Sequence, residues 1–374
     1  MIDCIVVGAG AFGSWSALRL RESGRSVALV EMLGPGNPKS SSGAASRVIR
    51  MGYGADEIYT RWSLRSLAKW KELFARVNRP ELFQQTGVLF TARRGHPYGE
   101  DTLRTLRNLK VAHEALSTAE VQRRYPAIRF EEEIIGILEP DSGALLAGQA
   151  VQAVTQEAAR LGVEVVEGAV APFVEDGRLE RVVTEGGRTI EGATFIFACG
   201  PWLPKLFPQA VGRRIRVTRQ PIFYFDDWGI EMPVWIDFSD PRGGYTIPPM
   251  AGKSFKLALD RHGAPFDPDS GSRNVTAEET AAARAFLAER FPVLRDAAVA
   301  ETEVCQYECT SSGDFLIDRH PAMSNVWLVG GGSGHGFKHG PAVGEYVARA
   351  VDGADGEARF SWGSKGEAAA RTVY

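Results

Sequence analysis

The stretch Ile2-Asp3-Cys4-Ile5-Val6-Val7-Gly8-Ala9-Gly10-Ala11-Phe12-Gly13 decides the fold of this chain. Its first six residues form a short apolar run, which is typical of a strand buried in a parallel sheet. A helical pattern follows and ends near Gly24, and a second apolar strand from Ser26 to Val30 stops at Glu31. The order of strand, glycine turn, helix, strand and acid predicts an α/β unit that binds a dinucleotide.

Each residue of this stretch has an expected task. Gly8 permits the tight turn, Gly10 lets the backbone approach a pyrophosphate, and Gly13 lets helix and strand pack closely. The helix N-terminus faces the phosphates, and Glu31 accepts hydrogen bonds from a ribose hydroxyl. The alternative is a glycine turn that only joins packed elements. We expect a Rossmann-like domain whose first cofactor contacts are Gly8, Gly10, Ala11, Phe12, Gly13 and Glu31.

Composition excludes several other classes of protein. The 374 residues carry 43 Lys and Arg against 46 Asp and Glu, and this balance lacks the basic excess of a nucleic-acid binder. No apolar run approaches the roughly 18 residues of a membrane span, and the N-terminus shows no leader pattern. Four cysteines in so long a chain indicate a reducing compartment, so we expect a cytoplasmic protein. The 41 glycines exceed the roughly 26 of average usage.

Two later segments return to the same cofactor and favour FAD over NAD. A strand from Thr194 to Ala198 ends in Cys199-Gly200-Pro201-Trp202, which resembles the second adenine-side signature of two-domain flavoproteins. Near the C-terminus, a strand from Asn325 to Val329 leads into a glycine-rich loop that opens a helix, and such a loop makes an anion site. The further cofactor contacts that we expect are Cys199, Gly200, Trp202, Gly332, Gly334, Gly336, Phe337 and Lys338.

From Gly8 to about Gly344 the chain resembles the D-amino-acid-oxidase-type superfamily of FAD-dependent oxidoreductases, in its branch of monomeric sarcosine oxidase and N-methyltryptophan oxidase. The segments that carry the resemblance are Cys305-Gln306-Tyr307-Glu308-Cys309-Thr310, Phe315 to Pro321, Ser333 to Lys338, Ser46 to Arg50 with Tyr53-Gly54, and Tyr245 with Lys256. The resemblance implies that Cys305 carries the flavin through an 8α-thioether and that Arg50 and Lys338 bind a substrate carboxylate. It also implies active-site roles for Arg47, Tyr245, Lys256 and Tyr307, and cofactor contacts for Ser42, Ser46 and Arg47.

The residues themselves leave alternatives open at two places. Arg47 and Arg50 are three apart, so a helical turn would present both on one side, although a solvated basic face would do the same. A turn centred between Met250 and Ala251 would place Tyr245 opposite Lys256, about 5 Å apart. Lys256 is then either an edge-strand lysine or, as the resemblance implies, a cation held over the flavin that speeds oxygen reduction electrostatically.

The run from Cys305 to Cys309 alternates like a strand, so Cys305, Tyr307 and Cys309 share a face. Two cysteines at this spacing lack partner ligands for a metal and lie too far apart for a disulfide, and we expect no metal site. We interpret Cys309 and Cys199 as residues that serve packing and not chemistry. His335 is expected to shape its glycine loop, and His320 before Pro321 is expected to be structural.

The chain is expected to be α/β, or α+β overall, with a discontinuous FAD-binding domain at 1–82, 146–215 and 300–374. A substrate domain at 83–145 and 216–299, built on an antiparallel sheet, is inserted between these segments. Helices are predicted at 277–291 and around 101–113, and the last dozen residues read as a polar tail.

The expected activity is FAD-dependent oxidation of the C–N bond of a small amino acid, such as a secondary amine. Hydride passes to flavin N5, the imine hydrolyses, and O2 is reduced to H2O2. The alternatives are a dehydrogenase that passes electrons to a partner and a flavin-binding subunit without turnover. Gly43 and Asp260 stand where sarcosine oxidases have histidines, which favours a bulkier or differently charged substrate. We expect a monomer without nucleic-acid or membrane partners.

Overall fold

The computed structural model describes residues 1–226 and 229–367; the end of the predicted polar tail and of the predicted segment 300–374 lies outside the described residues. The strands are β1 (Ile2–Val7), β2 (Val27–Glu31), β3 (Arg47–Ile49), β4 (Phe83–Gln84), β5 (Val88–Arg93), β6 (Glu114–Ser117), β7 (Ile134–Glu139), β8 (Gly143–Leu145), β9 (Glu164–Glu167), β10 (Arg181–Val183), β11 (Thr189–Phe197), β12 (Ile215–Phe225), β13 (Val234–Asp237), β14 (Gly244–Ile247), β15 (Phe255–Ala258), β16 (Val299–Thr310), β17 (Leu316–Arg319) and β18 (Val326–Gly330). The α-helices are α1 (Ala11–Glu22), α2 (Glu57–Arg76), α3 (Pro97–Asn108), α4 (Thr118–Arg124), α5 (Ala147–Arg160), α6 (Leu203–Leu206), α7 (Ala277–Arg290) and α8 (Gly340–Val351).

The first sheet has the strand order β17-β18-β11-β1-β2-β9, and β10 pairs with β11. Its four central pairings, β18 with β11, β11 with β1, β1 with β2 and β2 with β9, are parallel. The inner strands are near-continuous apolar runs because helices cover the sheet, with α1 packed between α5 and α8. This parallel sheet with its glycine turn confirms the α/β fold class predicted from the first residues of the chain.

A second sheet has the order β16-β12-β15-β14-β13-β5-β7-β6 and is antiparallel except where β13 meets β5. Its longest ladder joins β12 to β16 from Ile215 opposite Thr310 to Phe225 opposite Val299. A small third sheet has the strand order β3-β8-β4, and in it Arg47 pairs with Leu145. No helix in the described ranges is both long and apolar enough to cross a membrane.

Two local predictions from the sequence are wrong. Arg47 to Ile49 form strand β3, so Arg47 and Arg50 do not share a helical turn; pairing with β8 satisfies the backbone there in extended form. In the β14–β15 hairpin, Tyr245 pairs with Ala258, and the partner of Lys256 is Ile247. The turn residues are Ala251 (φ 50°) and Gly252 (φ 76°), because a two-residue hairpin turn with positive φ at both positions matches the twist of the strands.

The hairpin register differs from the prediction by two residues, and this difference keeps the side chains on their faces. Strand side chains alternate with a period of two, so Tyr245 and Lys256 still share a face as diagonal neighbours. The Lys256 ammonium lies 5.9 Å from the centre of the Tyr245 ring.

The strands of the two large sheets come from interleaved parts of the chain. Strand β16 belongs by hydrogen bonding to the second sheet, although it lies almost wholly within the predicted cofactor segment 300–374. The domain division stays a prediction, and we propose that its last cofactor segment begins after Thr310.

Candidate active site

A cavity of about 410 Å³ lies at the carboxyl ends of the parallel strands β1, β2 and β11. This edge of an open α/β sheet is where such proteins bind ligands. We call it the larger cavity. Its wall contains the predicted cofactor residues Gly8, Gly10, Ala11, Phe12, Glu31, Ser42, Arg47, Cys199, Gly200, Trp202, Cys305, Gly332, Gly334, Gly336 and Phe337. The predicted residues Gly13, Ser46 and Lys338 do not line it.

The glycines of the first turn are required by close backbone contacts. Gly8 has φ +98°, and a Cβ there would lie 2.5 Å from the carbonyl oxygen of Ala198. A Cβ on Gly13 would lie 1.8 Å from the carbonyl oxygen of Gly8. Gly13 therefore lies behind the turn and outside the cavity wall. In that position it lets α1 approach the strand closely.

Glu31 ends strand β2 and holds the glycine turn with its carboxylate. Oε2 accepts from the backbone N–H of Ala9 (2.6 Å), and Oε1 accepts from that of Leu33 (2.8 Å). Burial raises the pKa of this carboxyl, while those backbone hydrogen bonds oppose the shift. Its position in the cavity wall suits the predicted hydrogen bond to a ribose hydroxyl.

Strand β16 separates the larger cavity from a smaller one of about 70 Å³. Cys305 and Tyr307 line both, and so do Arg47 and Phe337. Nη2 of Arg47 lies 2.9 Å from Sγ of Cys305 and also donates to the carbonyl oxygen of Ser41 (2.8 Å). The guanidinium is therefore held against Cys305 at the border of the two cavities.

The smaller cavity brings together the residues predicted to bind substrate. Arg50, Tyr245, Tyr307 and Lys338 line it together with Arg47. Arg50 is 2% exposed and Arg47 is partly buried against Cys305, so the alternative of a solvated basic face for these two arginines is wrong. Lys338 is 5% exposed. Buried cations so close together favour an anion between them.

Tyr53 contacts both cations of the smaller cavity. The Arg50 guanidinium lies 4.5 Å from the centre of the Tyr53 ring, and the Lys338 ammonium lies 5.2 Å from it. Nζ of Lys338 donates to the Tyr53 hydroxyl (2.8 Å), which also lies 2.9 Å from Nε2 of His339. The ring face thus stabilises Arg50 by cation–π attraction, whereas Lys338 is held by the Tyr53 hydroxyl.

Burial, followed by the charge of Arg50, holds the pKa of Lys338 well below its usual range. Burial and the neighbouring Lys338 lower the pKa of His335 to about 3, so this imidazole is neutral. His335 stacks on Phe315 and its Nε2 lies 3.0 Å from the carbonyl oxygen of Gly313. These contacts fit the predicted task of shaping the glycine loop. His320 contacts Glu175 instead, away from both cavities.

Lys256 is fully buried and lines neither cavity. Its Nζ donates to the carbonyl oxygen of Ser46 (2.9 Å), which anchors it beside Arg47. Burial, and next the charge of Arg47, lower the pKa of Lys256 to about 7. The sequence predicts a fixed positive charge at Lys256, whereas this pKa means that the ammonium loses its proton close to neutral pH.

Several residues of the site lack a local signal in the sequence. Asp260, noted only as a departure from the resemblance, accepts from the Tyr307 hydroxyl (3.0 Å) and faces the smaller cavity. Glu139 is buried and accepts from the backbone N–H groups of Met51 and Gly52 (2.7 Å each), which fixes the segment before Tyr53. Glu308 lines the larger cavity. Glu139 ends an apolar strand, and Glu308 lies in a strand with two other acids, so neither position stands out in the sequence.

The family model for FAD dependent oxidoreductases (DAO) matches residues 3–350 of the chain. The chain belongs to this family. It is therefore an FAD-dependent oxidoreductase, as the sequence predicted. Its similarity to curated relatives over nearly the whole chain agrees with an enzyme that acts on CH–NH donors.

Curated relatives match nearly the whole chain. Monomeric sarcosine oxidase from Bacillus sp. (strain B-0618) is 30% identical, covering 93% of this chain and 91% of the relative. N-methyl-L-tryptophan oxidase from Yersinia pestis (strain Pestoides F) is 25% identical, covering 92% and 94%. Among solved structures, the open form of NikD, an amino acid oxidase of nikkomycin biosynthesis, has a TM-score of 0.80 at 21% identity, with 96% and 97% covered, and shows the shared fold.

The residues of the larger cavity fit FAD. Gly8, Gly10 and Gly332 bring the backbone to the cavity wall, and the N-terminus of α1 opens onto the cavity. FAD, when bound there, would accept two electrons with a hydrogen from the substrate. Tyr307 and Cys305 would lie at its border with the smaller cavity.

Proposed function

We propose that this enzyme oxidises the C–N bond of a small, N-substituted amino acid, with O2 as the electron acceptor. The observation that carries the proposal is the pair of buried cations, Arg50 and Lys338, on the Tyr53 ring beside the cofactor cavity. A substrate carboxylate neutralises them, and Arg suits a bidentate clamp. The amine then points toward the cavity border at Tyr307.

The reaction balances with O2 as the oxidant. FAD, when bound, would supply the acceptor for the hydride lost by the carbon next to nitrogen; the resulting imine would be hydrolysed by water to a carbonyl compound and an amine, and O2 would accept two electrons and two protons to give H2O2. The chain contributes position and charge. Arg50 and Lys338 hold the carboxylate, Lys256 supplies positive charge during oxygen reduction, and Tyr245 and Tyr307 border the amine.

The substrate class is tested by measuring peroxide over N-methylated, cyclic and glycated amino acids, with reduction of an artificial dye measured in parallel. We expect peroxide formation at the rate of substrate oxidation. Dye reduction without peroxide under air would favour a dehydrogenase that uses a partner, and no turnover with any amine would favour a flavin-binding subunit.

We propose that FAD is attached covalently to Cys305. Support comes from the place of Cys305 in the wall of the larger cavity, where Nη2 of Arg47 lies 2.9 Å from its Sγ. Acid precipitation should leave yellow flavin in the pellet, and Cys305→Ala should release it to the supernatant. Cys309→Ala is the matched control, because Cys309 lies on the same strand but lines neither cavity. Free flavin from the unaltered enzyme would refute the attachment.

We propose further that the enzyme acts as a monomer in the cytoplasm. Support for a monomer comes from the name of the Bacillus relative, and support for a reducing compartment comes from four cysteines that form no disulfide. Gel filtration of the purified enzyme tests the first point.

A further inference from the structure

Asp260 is an acid in the wall of the smaller cavity. It lies two residues beyond the end of strand β15. Of the described residues in that wall, Arg47, Arg50 and Lys338 are cations, and Asp260 is their acidic counterpart. An acid in this place is available to pair with a positive group on whatever occupies the cavity.

The side chain of Asp260 is held at the border between the two cavities. Its Oδ1 accepts from the hydroxyl of Tyr307 (3.0 Å), a residue that lines both cavities. Its Oδ2 accepts no hydrogen bond from any described residue, and it is not among the side-chain oxygens that are buried without a partner. Oδ2 therefore keeps accessible surface. Because Asp260 is half-buried in the cavity wall, a small occupant can reach this oxygen.

The cations around the smaller cavity do not neutralise Asp260 by direct contact. In the described part of the chain its hydrogen-bond partner is Tyr307, whereas His262, Arg50 and Lys338 act on it at longer range through charge. Burial raises the pKa of Asp260, and the hydrogen bond from Tyr307 opposes this rise. A positive group in the cavity would favour the ionised carboxylate. The cavity thus presents a positive side and a negative side to its occupant.

This charge pattern matches an amino acid in its ordinary ionised form. Near neutral pH an α-amino acid carries a carboxylate and an ammonium group on the same carbon. A cavity of about 70 Å³ suits so small a molecule. With the carboxylate on Arg50 and Lys338, the ammonium group lies on the side of Tyr307, where Asp260 is held. A charge-assisted hydrogen bond from the ammonium to Oδ2 then pairs both charges.

We propose that Asp260 binds the ammonium group of the substrate and restricts this enzyme to amino acids whose nitrogen is basic. N-acylated amino acids lack the positive charge that Asp260 would pair with, and quaternary ammonium acids lack the N–H donor. This role rests on the proposed function, because Arg50 and Lys338 give the position of the carboxylate. It deepens that function by naming the ionisation state that binds and the residue that recognises it.

The test measures binding of two probes that the holoenzyme cannot oxidise. In 2-methylalanine, a zwitterion, the carbon next to nitrogen has no hydrogen to lose, and pivalate is the same molecule with a methyl group in place of the ammonium group. Titration calorimetry at neutral pH gives both dissociation constants without turnover. We expect 2-methylalanine to bind the unaltered enzyme at least as tightly as pivalate, whereas a cavity with cations alone would prefer pivalate.

Asp260→Asn removes the charge and keeps an oxygen that can accept from Tyr307. The dissociation constant of 2-methylalanine should rise at least about tenfold, because a hydrogen bond between charged groups is lost. That of pivalate should stay the same or fall, because the anion no longer meets a negative carboxylate. Asp296→Asn is the matched control. Asp296 is exposed and lines neither cavity, so both dissociation constants should stay unchanged.

Equal changes for the two probes in Asp260→Asn, or no change for either, would overturn the proposal and leave Asp260 as the partner of Tyr307. Binding of pivalate without binding of 2-methylalanine to the unaltered enzyme would also overturn it, while the carboxylate clamp of the proposed function would stand. If neither probe binds, the clamp itself is contradicted, and the role of Asp260 falls with it. Thermal melting and flavin absorbance check that each variant is folded. If Asp260→Asn does not fold, the comparison of the two probes on the unaltered enzyme decides.

Discussion

The two cavities that share residues of strand β16 differ in how their walls are built. The larger takes part of its wall from a motif contiguous in the sequence, the glycine turn at Gly8 and Gly10. The smaller includes charged and phenolic side chains drawn from distant positions, such as Arg50, Asp260 and Lys338. On the proposed function, the first depends on close packing of the backbone and the second on the side chains that are present. Adding atoms should therefore damage the first, and removing atoms should damage the second.

The largest expected effect comes from adding one methyl group to the first glycine turn. Gly13→Ala would put Cβ 1.8 Å from the carbonyl oxygen of Gly8, which is backbone and cannot swing aside. We expect a loss of at least about 4 kcal/mol in the free energy of unfolding, together with loss of FAD. Melting curves and the flavin absorbance of the purified protein measure both.

Gly186→Ala is the matched control, because the nearest atom to its Cβ would be Thr184 Oγ1 at 3.8 Å. It should change stability by no more than about 0.5 kcal/mol. If Gly13→Ala behaves like this control, close backbone contact is not what builds the larger cavity.

Removing a cation from the smaller cavity should have the next largest effect. Arg50→Ala leaves a buried carboxylate clamp with one partner missing, which costs about 2–4 kcal/mol of transition-state binding, or roughly 30- to 1000-fold in kcat/KM. The measurement compares each substrate found in the peroxide screen with its uncharged amide. The amide should lose far less, since it makes no ion pair.

An exposed arginine provides the control for Arg50. Arg61 forms a surface pair with Glu57 and is far from both cavities, so Arg61→Ala should leave kcat/KM unchanged. Equal losses for the carboxylate substrate and its amide in Arg50→Ala would mean that the arginine serves the fold of the pocket and not the carboxylate.

The smallest effect should appear at Lys256, which borders the two cavities without lining either. Because its pKa is lowered to about 7, it is charged below that pH and loses its charge as pH rises. The rate of reaction of the reduced enzyme with O2 should therefore fall by about tenfold between about pH 6 and about pH 8. Stopped-flow mixing with O2 measures this rate separately from anaerobic reduction by substrate.

Two variants separate the charge of Lys256 from its place in the fold. Lys256→Arg keeps its charge over this range and should remove the pH dependence, and Lys256→Met should be slow at every pH. The prediction fails if Lys256→Met slows anaerobic reduction and the O2 reaction to the same extent.

The sequence predicts the larger cavity better than the smaller one for a physical reason. The turn Gly8 to Gly13 lies between a strand and a helix that are adjacent in the chain, so local patterns are sufficient to place it. Glu139 reaches the site through the backbone of Met51 and Gly52, 88 and 87 positions away. Contacts of this kind depend on tertiary packing, which no local pattern records.

The same limit explains the errors near Arg47. Its spacing to Arg50 suited a helix, but pairing with β8, almost 100 residues further along the chain, imposes a strand. The resemblance to a family placed Arg50, Tyr245, Tyr307 and Lys338 without that knowledge. It could not indicate that Tyr53 would contact both cations.

The two-residue turn at Ala251-Gly252 has a consequence for how the protein can vary. Strand β15 is paired on both sides, with Ile247 of β14 and Tyr224 of β12 opposite Lys256. Two ladders therefore fix the face on which Lys256 emerges, and residues added at the turn would lengthen the loop without rotating the strand. The length of this loop can vary while the lysine keeps its place.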